Sequence, residues 1–250
     1  MKLLVIVLCL FFERYLVHVS SHHRFHWSSI YGNLMEKYMS RVSFLSSPWL
    51  MLIFALFPMI FGASLVFYLF EDHLFGFVGL VLNLIVFYCC IGPGNPFYPA
   101  HASNDNTLTE EQIGTYLSQI NGQIFAIIFW YIVAGPVGIL IYRLISLAVN
   151  QEAVRQQAIS LINILDWLPV RMTALLYLIV GNFQAALHYF RQSVWLKPIQ
   201  NQVFLSTCGL KALSHKPIED ISMPHAEHIV EHAVIALLVL FACFTLVAWM

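Results

Sequence analysis

Two sets of histidines in this chain have spacings that could hold a metal. His18, His22 and His26 recur every fourth residue with His23 alongside, so on a helix three imidazoles would share one face. His225, His228 and His232, with Glu231 nearby, would do the same further on. Ser20-Ser21 and Pro224 interrupt the helical assumption at the two places. Histidines touching solvent at a membrane interface give the same spacing, so the expectation is no metal site, with His18, His22 and His26 as the candidates to test. A second constellation is polar: Asn121, Tyr142, Arg143, Asp166 and Arg171 lie in or beside apolar stretches. Ionisable groups at membrane depth are costly and are usually paired or functional. Asp166 and Arg171 flank Trp167-Leu168-Pro169, and proline disfavours helical geometry at the residue before it. A turn is therefore expected there, bringing the carboxylate back to the guanidinium as a bidentate pair. That pair would serve either as a structural clasp or as a ligand site. The chain has no GxxxxGK[ST], no GxGxxG, no HExxH and no GxSxG. The residue patterns name neither a catalytic group nor a cofactor.

The elements that must position these residues are apolar. Hydrophobic residues make up 60% of the 250, charged residues only 10%, and the mean hydropathy is +0.76. A soluble domain carries about 25% charge, and so few charges could not cover a water-facing surface of this size. Lipid needs no such cover, so the expected partner is a bilayer and the expected class is all-α, a polytopic helical membrane protein. The net charge of −1 gives no reason to expect nucleic acid. Cys9, Cys89, Cys90, Cys208 and Cys243 show no zinc spacing and read as small apolar residues.

Along the chain, residues 3–12 are apolar after Lys2 and resemble a signal peptide. Glu13-Arg14 follows at once and no small-x-small site comes next, so an uncleaved first helix over about 1–18 is expected. Residues 49–70 and 74–91 read as two strong spans joined by Glu71-Asp72-His73, with Pro58 kinking the first. Gly, Pro and Asn crowd 92–106, after which Thr109 to Gln112 reads as a capping box opening an amphipathic helix toward Asn121. Residues 124–147 form a third span, broken at mid-depth by Gly135-Pro136-Val137-Gly138.

Over 150–166, Val154, Ala158, Leu161, Ile162 and Leu165 share one helical face. Residues 172–180 are too short to span, and are re-entrant or half-buried at the surface. Two amphipathic helices split by Lys197-Pro198 follow, and 229–250 is the last span. The domain reading is a membrane domain over 1–147, an amphipathic, cytoplasmic-side helical region over 148–228 and a C-terminal transmembrane helix over 229–250.

Charge sets an orientation problem. Arg14, Arg24, Lys37 and Arg41 follow the first helix, and Arg155, Arg171, Arg191, Lys197, Lys211 and Lys216 follow the third span. The segment 92–123 has no Lys or Arg. Both basic loops should be cytoplasmic, yet three full spans between them would place them on opposite sides. The long basic loop is expected inside, with the 124–147 segment or the first hairpin not crossing simply.

The stretch NGQIFAIIFWYIVAGPVGILIYRL over 121–144, followed by LINILDWLPVRMTALLYLIVGNFQAAL over 161–187, resembles the AmpE proteins, as does FERYLVHVSSHHRFHW near the start. These are inner-membrane proteins associated with control of β-lactamase induction in Gram-negative bacteria. They are similar in turn to the CobD/CbiB membrane proteins of cobalamin biosynthesis, which attach aminopropanol to the corrin side chain. Both families share a Gly/Pro-Gly break, a Tyr-basic pair and an Asp-x-x-Pro-x-Arg block. Here these are Gly135, Pro136 and Gly138, then Tyr142 and Arg143, then Asp166, Pro169 and Arg171.

The chain has Ser146-Leu147-Ala148-Val149-Asn150 where the cobalamin enzymes have an Asn-Thr-Leu-Asp-Ser-Met-type run, and it has no Gly-Arg-Asp segment near 190–205. The resemblance therefore implies the AmpE branch: a non-enzymatic, multi-pass protein of the bacterial inner membrane. Its role would be regulation or sensing of β-lactamase induction linked to cell-wall recycling, with other membrane or cell-wall-recycling proteins as partners. The alternatives are a cobalamin-type synthase and a small-molecule carrier built on the broken span.

Overall fold

A computed structural model describes residues 2–15, 47–70, 77–91, 109–213 and 223–249. The described residues are helical, with no strand among them. In chain order the helices are α1 (Lys2–Tyr15), α2 (Pro48–Phe70), α3 (Phe77–Cys90), α4 (Glu110–Ile120) and α5 (Ala126–Ala148). They continue as α6 (Arg155–Leu165), α7 (Trp167–Val180), α8 (Phe183–Ser193), α9 (Asn201–Leu213) and α10 (Met223–Trp249). A π turn, Asn121–Phe125, joins α4 to α5, and a 3-10 turn, Pro198–Gln200, leads into α9.

Three helical runs are long and apolar enough to cross a membrane: Pro48–Phe70, Glu110–Ala148 and Met223–Val247. The pair α6 and α7 would make a fourth if taken as one span. This is the all-α membrane fold that the composition implies. The large apolar side chains left exposed on α2, such as Phe54, Phe57 and Phe61, suit contact with lipid.

Three expected boundaries shift. Among the described residues the second strong span holds a helix of 14 residues, about 21 Å long, against the roughly 30 Å of a hydrocarbon core. The amphipathic helix and the third span are one run of 39 residues, because the π turn absorbs an extra residue without ending the helix. Trp167-Leu168-Pro169 is not an open turn: Pro169 sits in the first turn of α7, where its missing N–H has no helical partner to lose. For the same reason Pro224, second in α10, does not interrupt the helix carrying His225, His228 and His232. His18, His22, His26 and the Glu71-Asp72-His73 link lie outside the described residues.

The chain forms two compact units. One comprises Met1–Pro93 and Ile127–Leu165. Within it α1 packs on α3, where the Cys9 thiol donates to the Leu84 carbonyl at 3.6 Å. Tyr131 donates from Oη to Asn83 Oδ1 at 2.9 Å and sets its ring edge-on to Phe87 at 5.0 Å. The expected apolar face of α6 is real: Val154 and Ala158 are buried with Leu52 and Ala148, and Leu161 packs beside them.

The other unit comprises Gly94–Ala126 and Asp166–Met250. Helix α9 packs against α4 and α7, and α10 packs against α7. Its core is built from Ile113, Leu117, Tyr177, Phe204, Leu205 and Cys208. Burial leaves no water for the Tyr177 hydroxyl, so it donates to the Leu117 carbonyl at 3.1 Å. Helix α4 opens with its expected cap, Gln112 Oε1 accepting from the Thr109 N–H at 3.0 Å.

Candidate functional site

In the first unit, the sequence-predicted break is a backbone fact. Gly135 has φ +71° and ψ −161°, a conformation that an L side chain strains to adopt. Pro136 has no N–H, so the Ile132 carbonyl four residues earlier loses its helical donor. The Lys2 ammonium supplies one, donating from Nζ to Ile132 O at 2.9 Å. Beyond the break, a Cβ on Gly138 would lie 2.3 Å from that of Ala134, so the tightened turn admits only glycine. One helical turn further on, Tyr142 and Arg143 are both buried.

In the second unit, the site is a cradle around Arg171, which is 4% exposed. Its Nε donates to Val194 O at 3.1 Å, and Nη2 donates to Leu196 O at 2.8 Å. Nη1 donates to Trp167 O at 2.9 Å and to Asn201 Oδ1. The cation also lies over two rings, 4.5 Å from the centroid of Trp167 and 5.0 Å from that of Phe204. Trp167 Nε1 donates to the same Leu196 carbonyl at 3.3 Å.

These four guanidinium hydrogen bonds run to carbonyl and carboxamide oxygens rather than to the Asp166 carboxylate. The expected bidentate pair fails for a geometric reason. Five residues along a helix rotate a side chain by about 500°, which leaves Arg171 about 140° from Asp166. Asp166 instead sits at the cap of α7, where the chain is already in the right-handed helical region.

Asn121, the first residue of the π turn, is buried against Thr173 of α7. Thr173 Oγ1 lies 2.8 Å from Asn121 Oδ1 and 3.0 Å from Pro169 O. A hydroxyl carries one proton and cannot donate to both. With the carboxamide turned over, Asn121 Nδ2 donates to Thr173 Oγ1, while the hydroxyl donates to Pro169 O. Asn121, Thr173 and Pro169 thus form one contact, and Arg171 belongs to another, through Trp167, Leu196 and Asn201.

The structure therefore brings the candidates together in two places. Gly135, Pro136, Gly138, Tyr142 and Arg143 belong to the first unit; Asn121, Asp166, Pro169 and Arg171 belong to the second. Lys2, Thr173 and Asn201 were not legible as site residues. Trp167 and Arg171, four apart, could have been paired from sequence, but Asn201 lies thirty residues beyond Arg171 and only the packing of α9 on α7 joins them. The Arg171 hydrogen bonds tie α7 to the segment 194–201.

On α10, His228 and His232 stack with centroids 4.3 Å apart and rings within 9° of parallel. His232 Nδ1 donates to the His228 carbonyl at 2.8 Å. Parallel imidazoles do not converge their in-plane lone pairs on one point, and no group of three metal-ligating side chains occurs among the described residues.

Residues 97–249 match the family described as Regulatory signalling modulator protein AmpE. The chain belongs to the AmpE family. The matched residues take in the broken helix, the π turn and the whole Arg171 cradle, whereas Lys2 lies outside them. No curated protein and no solved structure matches the chain.

Proposed function

We propose that this protein is a non-enzymatic regulatory component of a bacterial inner membrane that modulates β-lactamase induction in response to cell-wall turnover. Its membership of the AmpE family carries this reading, since the family's description is that of a regulatory signalling modulator. The test is a deletion strain carrying a β-lactamase reporter, challenged with a sub-inhibitory β-lactam. The induction curve should change on deletion and return with the intact gene. An unchanged curve, with cobalamin-dependent growth lost and restored by this gene, would replace the reading with the synthase one.

We further infer a multi-pass topology in which α3 does not cross. Two crossings, by α2 and by the run from α4 through α5, then separate the early basic loop from Arg155. Both lie on the cytoplasmic side, and the segment without Lys or Arg lies outside. Arg155 opens the α6–α7 pair and Arg191 follows it, so basic residues stand at both ends of the pair and it re-enters rather than spans. Labelling of Asn104→Cys, but not of Gln151→Cys, by an impermeant reagent outside spheroplasts is the expected result; the reverse pattern overturns the topology.

A further inference from the structure

The residues that Arg171 holds in place include a surface that the regulatory reading does not use. Trp195 is 83% exposed, Ile199 76% and Val203 62%. These three large apolar side chains lie within one short segment. Ile199, in the 3-10 turn, and Val203, in the first turn of α9, are four residues apart. Lys197 stands exposed between Trp195 and Ile199.

The segment is not loose. Arg171 takes the carbonyls on both sides of Trp195, those of Val194 and Leu196, and Trp167 takes that of Leu196 as well. With the backbone fastened on either side, the indole is presented outward.

The stretch of sequence that carries these side chains, beginning just after Asp166, is cationic. From Trp167 to Ile218 the sequence contains no Asp or Glu, while Arg191, Lys197 and Lys211 are exposed. A two-fold pairing of this patch with a second copy would set Lys197 against Lys197. An indole and aliphatic side chains beside a lysine, in a wholly cationic stretch, match the boundary between acyl chains and anionic headgroups. There Trp and Lys each find an apolar and a polar side.

We propose that Trp195, Ile199 and Val203 form an interfacial anchor that inserts into the surface of an anionic phospholipid bilayer, with Lys197 taking a headgroup phosphate. The anchor rests on the chain being a membrane protein and not on its role in β-lactamase induction, so it stands or falls separately from that role.

The test uses the full chain in vesicles of phosphatidylethanolamine and phosphatidylglycerol, with a nitroxide at Ile199→Cys or Val203→Cys and the native cysteines replaced. Collision rates with oxygen and with a water-soluble nickel chelate are compared, taking Gln184→Cys on α8 as the reference. Oxygen should dominate at both anchor positions and the chelate at Gln184. Lys197→Glu should move both anchor labels toward the chelate in these vesicles, and move them less in phosphatidylcholine vesicles. Chelate access at 199 and 203 equal to that at Gln184 would place the patch in water and overturn the proposal. Low access to both reagents would show a protein surface covering it and overturn it equally. An unchanged profile for Lys197→Glu would remove the anionic headgroup from the proposal.

Discussion

Replacing Arg171 by Met keeps much of the side chain's length and removes all its N–H groups. Four acceptors then lose a donor at once: the carbonyls of Trp167, Val194 and Leu196 and the carboxamide of Asn201. Trp167 O keeps the helical bond from the Arg171 amide and Leu196 O keeps that from Trp167 Nε1, so the Val194 carbonyl and the Asn201 carboxamide bear the loss. At about 1–3 kcal/mol for each buried acceptor left unsatisfied, the two cost about 2–6 kcal/mol before relaxation. If half is recovered as water follows the exposed 195–200 segment, about 1–3 kcal/mol remains, which lowers the melting temperature by at least about 2 °C in a chain of this size. Arg171→Lys should fall between, because an ammonium has three N–H groups without the planar fork and can serve at most three of the four acceptors. The assay can be built from the protein itself. Cys208 is fully buried on α9, the helix that contributes Asn201. With Cys9, Cys89, Cys90 and Cys243 replaced, a thiol-reactive dye reports the opening of this unit alone. If Arg171→Met melts within about 1 °C of its parent, the cradle contributes nothing to the stability of this unit.

Three further outcomes are expected. Gly135→Ala must adopt φ +71° and ψ −161°, a strain of about 1–3 kcal/mol, and should destabilise the first unit; a gain in melting temperature would show that the break is relaxed. Thr173→Val and Asn121→Leu should each cost about 1–3 kcal/mol by stranding the other's polar group, and the double change should cost less than the sum; strict additivity in a double-mutant cycle would separate them. Burial pushes the Cys208 thiol up to about 12 in the folded protein, whereas an unfolded thiol titrates near about 8.5. The stabilising contribution is therefore whole below about pH 8.5 and is lost as pH rises from there through about 12. The melting temperature of the single-cysteine protein should fall more steeply above pH 9 than that of Cys208→Ala, and parallel curves would refute the assignment.

What sequence determined about this protein was whatever depends on one residue and its near neighbours. Apolar content required a lipid-facing helical fold, because so few charges cannot solvate a surface. Gly135-Pro136 located the broken helix, since a missing N–H and a permissive φ are properties of those residues wherever they sit. The Thr109 cap and the Val154-Ala158 face were legible because caps and helical periodicity span only a few positions.

Tertiary structure decided the partners. Sequence offered Asp166 to Arg171, but a continuous helix turned them to different sides, and the acceptors came instead from α9 and the segment before it. It likewise decided that Lys2 meets a carbonyl in α5 and that Asn121 meets Thr173 across a π turn. A hydrogen bond depends on where two chain segments are brought in space to within about 3 Å, and residues fifty or more apart carry no local trace of that meeting.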